Sequence, residues 1–231
     1  MKTIGIVGGI APESTIDYYR LIITSYREQK PDGSYPQIII NSIDLKKMLD
    51  LIAADELNEL TKYLLGEVNK LSQAGADFGL LASNTPHMVF EDIQRQAAIP
   101  LISIVESACE RAKALGIKKV GLFGTRFTMQ GRFYHDAFSR QGITLVVPDL
   151  EDQDYIHDKY MKELVNGIFL SETRKRLLTI VDRLKKKDNI QGLILGGTEL
   201  PLILRNEGDQ GIPFLDTTKI HVELVVAYLL S

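Results

Sequence analysis

Two segments of this chain pair a short apolar run with a tip of small polar residues. The first is Gly79-Leu80-Leu81-Ala82-Ser83-Asn84-Thr85-Pro86-His87; the second is Gly192-Leu193-Ile194-Leu195-Gly196-Gly197-Thr198-Glu199-Leu200. Each reads as a buried strand leaving a core into a tight turn, with backbone N–H groups and hydroxyls at its end. In an open parallel sheet, ligands bind in the crevice beyond the strand C-termini. The two tips are therefore expected to face one small molecule. Asn84, Thr85, Thr125 and Thr198, with their neighbouring N–H groups, have the donors of an anion-binding nest. Glu199 and His87 are the titratable groups, and either could serve as a general base, which must lie within ~3 Å of the proton it takes. Ser83 or an ordered water would be the partner. Glu199 equally suits the first turn of a helix, where the dipole favours a carboxylate. His87 equally suits a polar residue that satisfies its own turn.

Several standard chemistries are excluded. Gly5-Ile6-Val7-Gly8-Gly9 is not a dinucleotide fingerprint, and no phosphate-cradling loop ending in Gly-Lys-Ser/Thr occurs. The four histidines, His87, His135, His157 and His221, lack ligand spacing, so no metal is expected. No Gly-x-Ser-x-Gly elbow surrounds Ser83. A net charge of −3 and only a short basic cluster, Lys185-Lys186-Lys187, argue against nucleic acid; a solvated helix end is the better reading. No run approaches the ~18 apolar residues of a membrane span. The start, Met1 to Gly9, is short and glycine-interrupted, and charged residues follow from Glu13, so it reads as a first strand rather than a signal peptide. Cys109 is the single cysteine, so no intrachain disulfide can form. A soluble protein of the reducing cytoplasm is expected.

The elements that must position the tips follow from periodicity. Thr3–Val7 reads as a strand broken by Gly8-Gly9, and Ser14–Glu28 as a helix with Ser14 as N-cap and Ile16, Tyr19, Ile22 and Ile23 on its apolar face. Ile38-Ile39-Ile40 reads as a buried strand after a Pro-Asp-Gly loop. A long amphipathic helix spans Asp55–Ala74 and stops at Gly75. After the first tip come a helix over Met88–Ala98 and a strand over Ile99–Ile104. The pattern then restarts: helix Val105–Leu115, strand Lys119–Phe123, helix Phe127–Gln141, strand Thr144–Pro148, and two helices within 151–187 split near Gly167. The second tip, a strand Pro213–Asp216 and a closing helix Ile220–Leu230 complete the chain. Strands alternating with helices imply parallel sheets covered on both faces.

Gly8 stands to Gly124 as Ser83 stands to Gly197, an offset of about 115 residues both times, which suggests an internal duplication. The expected fold is α/β: two pseudo-symmetric lobes, each a mainly parallel sheet flanked by helices, with the ligand site between them. The expected boundaries are 1–103 plus 214–231 for the N-terminal lobe and 104–213 for the second, the last strand and helix crossing back to the first.

Gly5-Ile6-Val7-Gly8-Gly9-Ile10-Ala11-Pro12-Glu13-Ser14-Thr15 with Tyr18-Tyr19, Ser83-Asn84-Thr85, Gly124-Thr125-Arg126-Phe127-Thr128-Met129, Gly197-Thr198-Glu199, and Asp216-Thr217 with Ile220-His221 together resemble the aspartate/glutamate racemase family. The likeness spans nearly the whole chain. It implies a cofactor-independent homodimer acting on a small acidic amino acid or dicarboxylate. Members carry Cys-Asn-Thr at the first tip and Gly-Cys-Thr-Glu at the second, one thiolate removing the Cα proton and the other thiol supplying one from the opposite face. The resemblance also places Gly9, Thr128 and Gly197 at the substrate, makes Lys47 the basic residue after the second strand, and makes Lys162 a weaker match to a second basic position. For each lysine an exposed helix charge is the alternative. His221 falls in a family motif where a hydrogen-bonding role suits it equally.

The chain departs from that pattern at both thiols, with Ser83 at the first and Gly197 at the second. A thiol with a pKa near ~8.5 yields a usable thiolate near neutrality. A serine hydroxyl needs a neighbouring base, and glycine carries no proton. Cys109 belongs to neither tip and reads as a small buried residue. Three readings stay open: an enzyme using Glu199, His87 and Ser83 in place of thiols, a catalytically silent ligand-binding relative, or a decarboxylase- or isomerase-type reaction on the same scaffold.

Overall fold

The computed structural model describes residues 2–204 and 211–231. The chain divides into two compact units, Met1–Ile104 with His221–Ser231 and Val105–Ile220.

The first unit runs β1 (Thr3–Gly8), α1 (Pro12–Gln29), β2 (Gln37–Ser42), α2 (Leu45–Ala53), α3 (Leu57–Gln73), β3 (Phe78–Leu81), a 3₁₀ turn (Thr85–Val89), α4 (Phe90–Gln96) and β4 (Leu101–Ile102), and α5 (Ile104–Ala114) starts at its end. Its four strands are parallel in the order β2-β1-β3-β4. Ile4, Ile6, Phe78 and Leu80 from the central strands pack with Tyr18, Ile22 and Tyr26 of α1 and with Val222, Val225, Val226 and Leu229 near the chain end.

Helix α1 differs from its sequence reading in two ways. Pro12 occupies the first turn with Ala11 as N-cap, because proline has no N–H to leave unpaired and its φ is already helical. Ser14, expected as the cap, is therefore inside the helix. The buried stripe is Tyr18, Ile22 and Tyr26, while Ile16 and Tyr19 are each 49% exposed. Both tyrosines bury their rings because each hydroxyl finds a partner, His221 for Tyr18 and Ser34 for Tyr26.

Other expectations shift for tertiary reasons. β2 is an edge strand, so Ile38-Ile39-Ile40 is only partly covered. Helix α2, not anticipated, is capped by the Asp44 carboxylate, which accepts from the Lys46 N–H at 2.9 Å. The strand expected over Ile99–Ile104 is only Leu101–Ile102, because α5 already begins at Ile104.

The second unit continues from α5 with β5 (Lys119–Gly124), α6 (Arg126–Gln130), α7 (Arg132–Arg140), β6 (Thr144–Val146), α8 (Leu150–Lys162), a 3₁₀ turn (Leu164–Asn166), α9 (Ser171–Asp188), β7 (Leu193–Gly196), α10 (Leu200–Ile203), β8 (Phe214–Asp216) and α11 (Thr217–Leu230). Its sheet is again parallel, in the order β6-β5-β7-β8. That order repeats the first sheet strand for strand, in keeping with a duplication. Gly131 separates α6 from α7, where one helix was expected. Lys185, Lys186 and Lys187 lie in the last turn of α9, where the helix dipole favours cations.

The last strand corrects the expected boundary. β8 pairs with β7, Ile194 opposite Leu215, and so belongs to the second sheet rather than the first lobe. Only from His221 does the chain belong to the first unit. Among the described residues no helix is long and apolar enough to cross a membrane.

Candidate active site

In the first unit β1 and β3 are adjacent, Val7 opposite Leu81, so their C-terminal ends bring Gly8-Gly9 beside Ala82-Ser83. The Ala82 N–H donates to the Val7 carbonyl at 2.9 Å, carrying the pairing past the strand end. Gly9 has a φ of +81°, and a Cβ there would stand 2.5 Å from the Ile43 carbonyl oxygen. The turn therefore requires glycine. Its N–H donates to Thr15 Oγ1 at 2.8 Å. The Ser14 hydroxyl lies 2.8 Å from the Ala11 carbonyl and 3.2 Å from that of Ala82, tying the start of α1 to the first tip. Asn84 and Thr85 are buried at that tip, and Ser83 is partly exposed.

The geometry at His87 corrects its reading as a base. The Ile104 N–H donates to Nε2 at 3.2 Å, so Nε2 is an acceptor. Nδ1 then carries the hydrogen and donates it to the Ser83 carbonyl at 3.0 Å. The imidazole thus reaches the Ser83 backbone, and neither ring nitrogen keeps a lone pair for a substrate proton. Burial, with a smaller contribution from His221, pushes the His87 pKa down to about 3. His87 positions the first tip and is neutral near pH 7. His221 is its counterpart near the chain end. Tyr18 Oη donates to Nδ1 at 2.8 Å and Nε2–H donates to the Ile102 carbonyl at 2.9 Å, burial holding its pKa at about 4.

Lys47 is exposed on α2 with its ammonium 4.2 Å above the Tyr63 ring. That ring contact orients the charge without neutralising it.

In the second unit β5 and β7 are likewise adjacent, Gly124 opposite Gly196. Thr125 caps α6, its hydroxyl accepting from the Thr128 N–H at 3.2 Å. Thr128, expected to touch substrate, is fully buried with its hydroxyl 3.1 Å from that of Thr125. It supports the cap. Lys162, expected near the ligand, ends α8 on the solvent side and pairs with Asp158 at 2.5 Å. Lys162→Ala should leave both stability and ligand binding essentially unchanged, as for an exposed i,i+4 pair; urea unfolding checks the first half and calorimetric titration the second.

The second tip contains a group that sequence reading missed. A Cβ built on Gly197 would lie 2.4 Å from Cε2 of Tyr160, 3.0 Å from Cζ and 3.1 Å from the phenol oxygen. The ring of Tyr160 fills the space of the side chain that glycine lacks. Its hydroxyl donates to Glu199 Oε2, which also accepts from Thr198 Oγ1 at 2.8 Å. Glu199 is 1% exposed. Burial first, then the Glu199 charge, raises the Tyr160 pKa well above its ordinary value, so the phenol keeps its proton. Tyr160 lies 39 positions before Glu199, and no local pattern links them. The only available signal was the missing side chain at 197, whose volume something large must occupy.

Cys109 is buried with its thiol 3.7 Å from the Ala137 carbonyl, and burial pushes its pKa up to about 11. It is a packed thiol with no thiolate character. Among the described residues no three His, Cys, Asp or Glu side chains gather as metal ligands.

The comparisons agree with this architecture. A crystal structure from Yersinia pestis described as a "putative Asp/Glu Racemase" is 32% identical, covers 100% of both chains and superposes with a TM-score of 0.92. An aspartate racemase homologue from Pyrococcus horikoshii OT3 is 33% identical over 100% of both chains, with a TM-score of 0.86. A broad specificity amino-acid racemase, RacX, of Bacillus subtilis is 24% identical over 99% of this chain and 98% of its own length. Residues 7–225 match the Asp/Glu/Hydantoin racemase family, and with two parallel four-stranded sheets ending in the tips described, the chain belongs to that family.

Proposed function

We propose that the protein is an isomerase of the amino-acid racemase type, taking a small acidic amino acid of the aspartate or glutamate kind, or a related dicarboxylate, without a cofactor. In this reading the protein works as a cytoplasmic homodimer. The observation that carries it is the second tip, where a buried carboxylate, Glu199, stands within hydrogen-bond reach of a phenol and a threonine hydroxyl. A carboxylate so placed is a titratable group of the kind that Cα proton transfer needs. The groups suited to hold a substrate carboxylate are the Ser83 hydroxyl with the neighbouring N–H groups of Asn84 and Thr85 at the first tip, the Lys47 ammonium on α2, and, in the second unit, Thr125 and Thr198. The names of the relatives, which speak of aspartate, of Asp/Glu and of broad amino-acid specificity, support this substrate class.

A second reading, a catalytically silent ligand-binding relative, is favoured by one specific feature. Neither tip carries a thiol, and the imidazole beside Ser83 is committed to backbone groups.

Cα proton exchange separates the two. The protein is incubated with L- and D-aspartate and glutamate in D₂O, and the Cα–H signal is followed by NMR with chiral analysis. Exchange with inversion is expected. Binding by calorimetry without exchange favours the silent relative, and neither binding nor exchange sinks both readings. Ser83→Ala should weaken binding about 3- to 10-fold, the loss of one hydrogen bond.

A further inference from the structure

We propose that the Tyr160 phenol, backed by the Glu199 carboxylate, is the proton-carrying group of the second tip, standing in the volume that a side chain at position 197 would occupy. This rests on the racemase-type reading of the site and names the group that would act there. The positional argument comes first. The Tyr160 oxygen lies 3.1 Å from where a Cβ of residue 197 would be, so a proton-bearing heteroatom stands close to the reach of a side chain from that position. The chemical argument follows from its partner. A phenol alone is a poor acceptor for a carbon-bound proton, but this one donates to Glu199 Oε2, and a nucleophile or base oriented by a further group is the general form of an activated acid–base pair. Thr198 Oγ1 donates to the same carboxylate oxygen at 2.8 Å. Both groups are buried, Tyr160 at 7% and Glu199 at 1% exposure; the phenol lies against position 197, and Glu199 backs it. Tyr160 is the group through which it acts.

The step balances as a relay. The Cα–H bond breaks and its proton passes to the Tyr160 oxygen as the phenol's own proton passes to Glu199 Oε2. The electron pair stays on the substrate, delocalised from Cα into its α-carboxylate. Glu199 becomes neutral and Tyr160 remains a phenol. Running the relay backwards returns a proton to Cα, and no oxidant, metal or cofactor enters.

Tyr160 also packs in the core of the second unit, against Phe123, Leu164 and Leu195 among others. The test must therefore separate proton transfer from packing. Tyr160→Phe keeps the ring and removes only the oxygen, and Glu199→Gln keeps the shape of the carboxylate. Each variant is measured for Cα proton exchange of aspartate and glutamate in D₂O, for ligand dissociation constant and for thermal midpoint. The expected result is an exchange rate reduced about 100-fold or more in each, the usual scale for a lost acid–base group, with the dissociation constant within about threefold of the natural protein. If Tyr160→Phe unfolds because buried Glu199 loses the phenol as one of its donors, the double variant Tyr160→Phe, Glu199→Gln removes the charge together with that donor and is measured in its place.

Exchange in Tyr160→Phe at half the natural rate or more overturns the proposal and leaves the racemase-type reading standing. A natural protein that neither binds nor exchanges these amino acids overturns that reading and the proposal with it. Exchange and affinity falling in parallel would show a packing role only, and would also overturn the proposal.

Discussion

Replacing Gly197 by cysteine should destabilise the second unit and should fail by itself to install a working thiol. Any Cβ at this position meets Tyr160 Cε2 at 2.4 Å, closer than packed carbons tolerate. The ring cannot simply swing aside, because its hydroxyl is held by buried Glu199 and its faces by the surrounding core. Overpacking of this kind costs about 3 kcal/mol where the neighbour is fixed. In a Tyr160→Leu background the same Gly197→Cys change should cost less than about 1 kcal/mol, since residues in contact depart from additivity on this scale. Urea unfolding of the four proteins in the cycle gives the coupling directly. A cost below about 0.5 kcal/mol for Gly197→Cys in the natural background would mean that Tyr160 yields easily, against the reading of a fixed ring. The functional consequence is that Ser83→Cys with Gly197→Cys restores both thiols in sequence, while the second finds its space filled by Tyr160. A third change at Tyr160 is required.

The second large effect is acid destabilisation well above the range of ordinary carboxylates. His87 and His221 are neutral in the folded protein, with pKa values brought down to about 3 and about 4 by burial. In the unfolded chain both titrate near ~6.5. As pH falls below that value the unfolded chain binds two protons that the folded chain refuses. The stabilisation is therefore fully present above about pH 6.5 and is lost progressively as pH falls toward the folded values. Each histidine contributes about 1.4 kcal/mol per pH unit in that window. Between pH 6.5 and 4.5 the pair should remove on the order of 5 kcal/mol, comparable to the whole stability of many domains. His157, lowered by burial and by Arg126, acts with the same sign. Guanidinium midpoints at pH 7, 6 and 5 measure the slope. His221→Gln, which can still accept from Tyr18 and donate to Ile102, should flatten it. A stability unchanged from pH 7 to pH 5 would show that these imidazoles accept protons in place.

What the sequence determined by itself was everything written in local periodicity. Apolar runs ending in Gly8-Gly9, Ser83-Asn84-Thr85, Gly124-Thr125 and Gly197-Thr198 fixed four strand ends. Their common offset announced two copies of one sheet, and the structure has both in the same strand order. The motifs around those ends also carried the family, whose model matches residues 7–225. The tertiary structure decided whatever depends on residues far apart in the chain. The apolar face of α1 could be read two ways from spacing alone, and Tyr18 prevailed over Tyr19 because its hydroxyl meets His221, 203 positions away. β8 joined the second sheet because Leu193 and Ile194 offered it an edge. His87 ceased to be a base once the Ile104 N–H claimed its free nitrogen. At position 197 the sequence showed an absence. What fills it, a phenol from α8 held on a buried carboxylate, is set by close packing, which leaves no trace in the neighbouring letters.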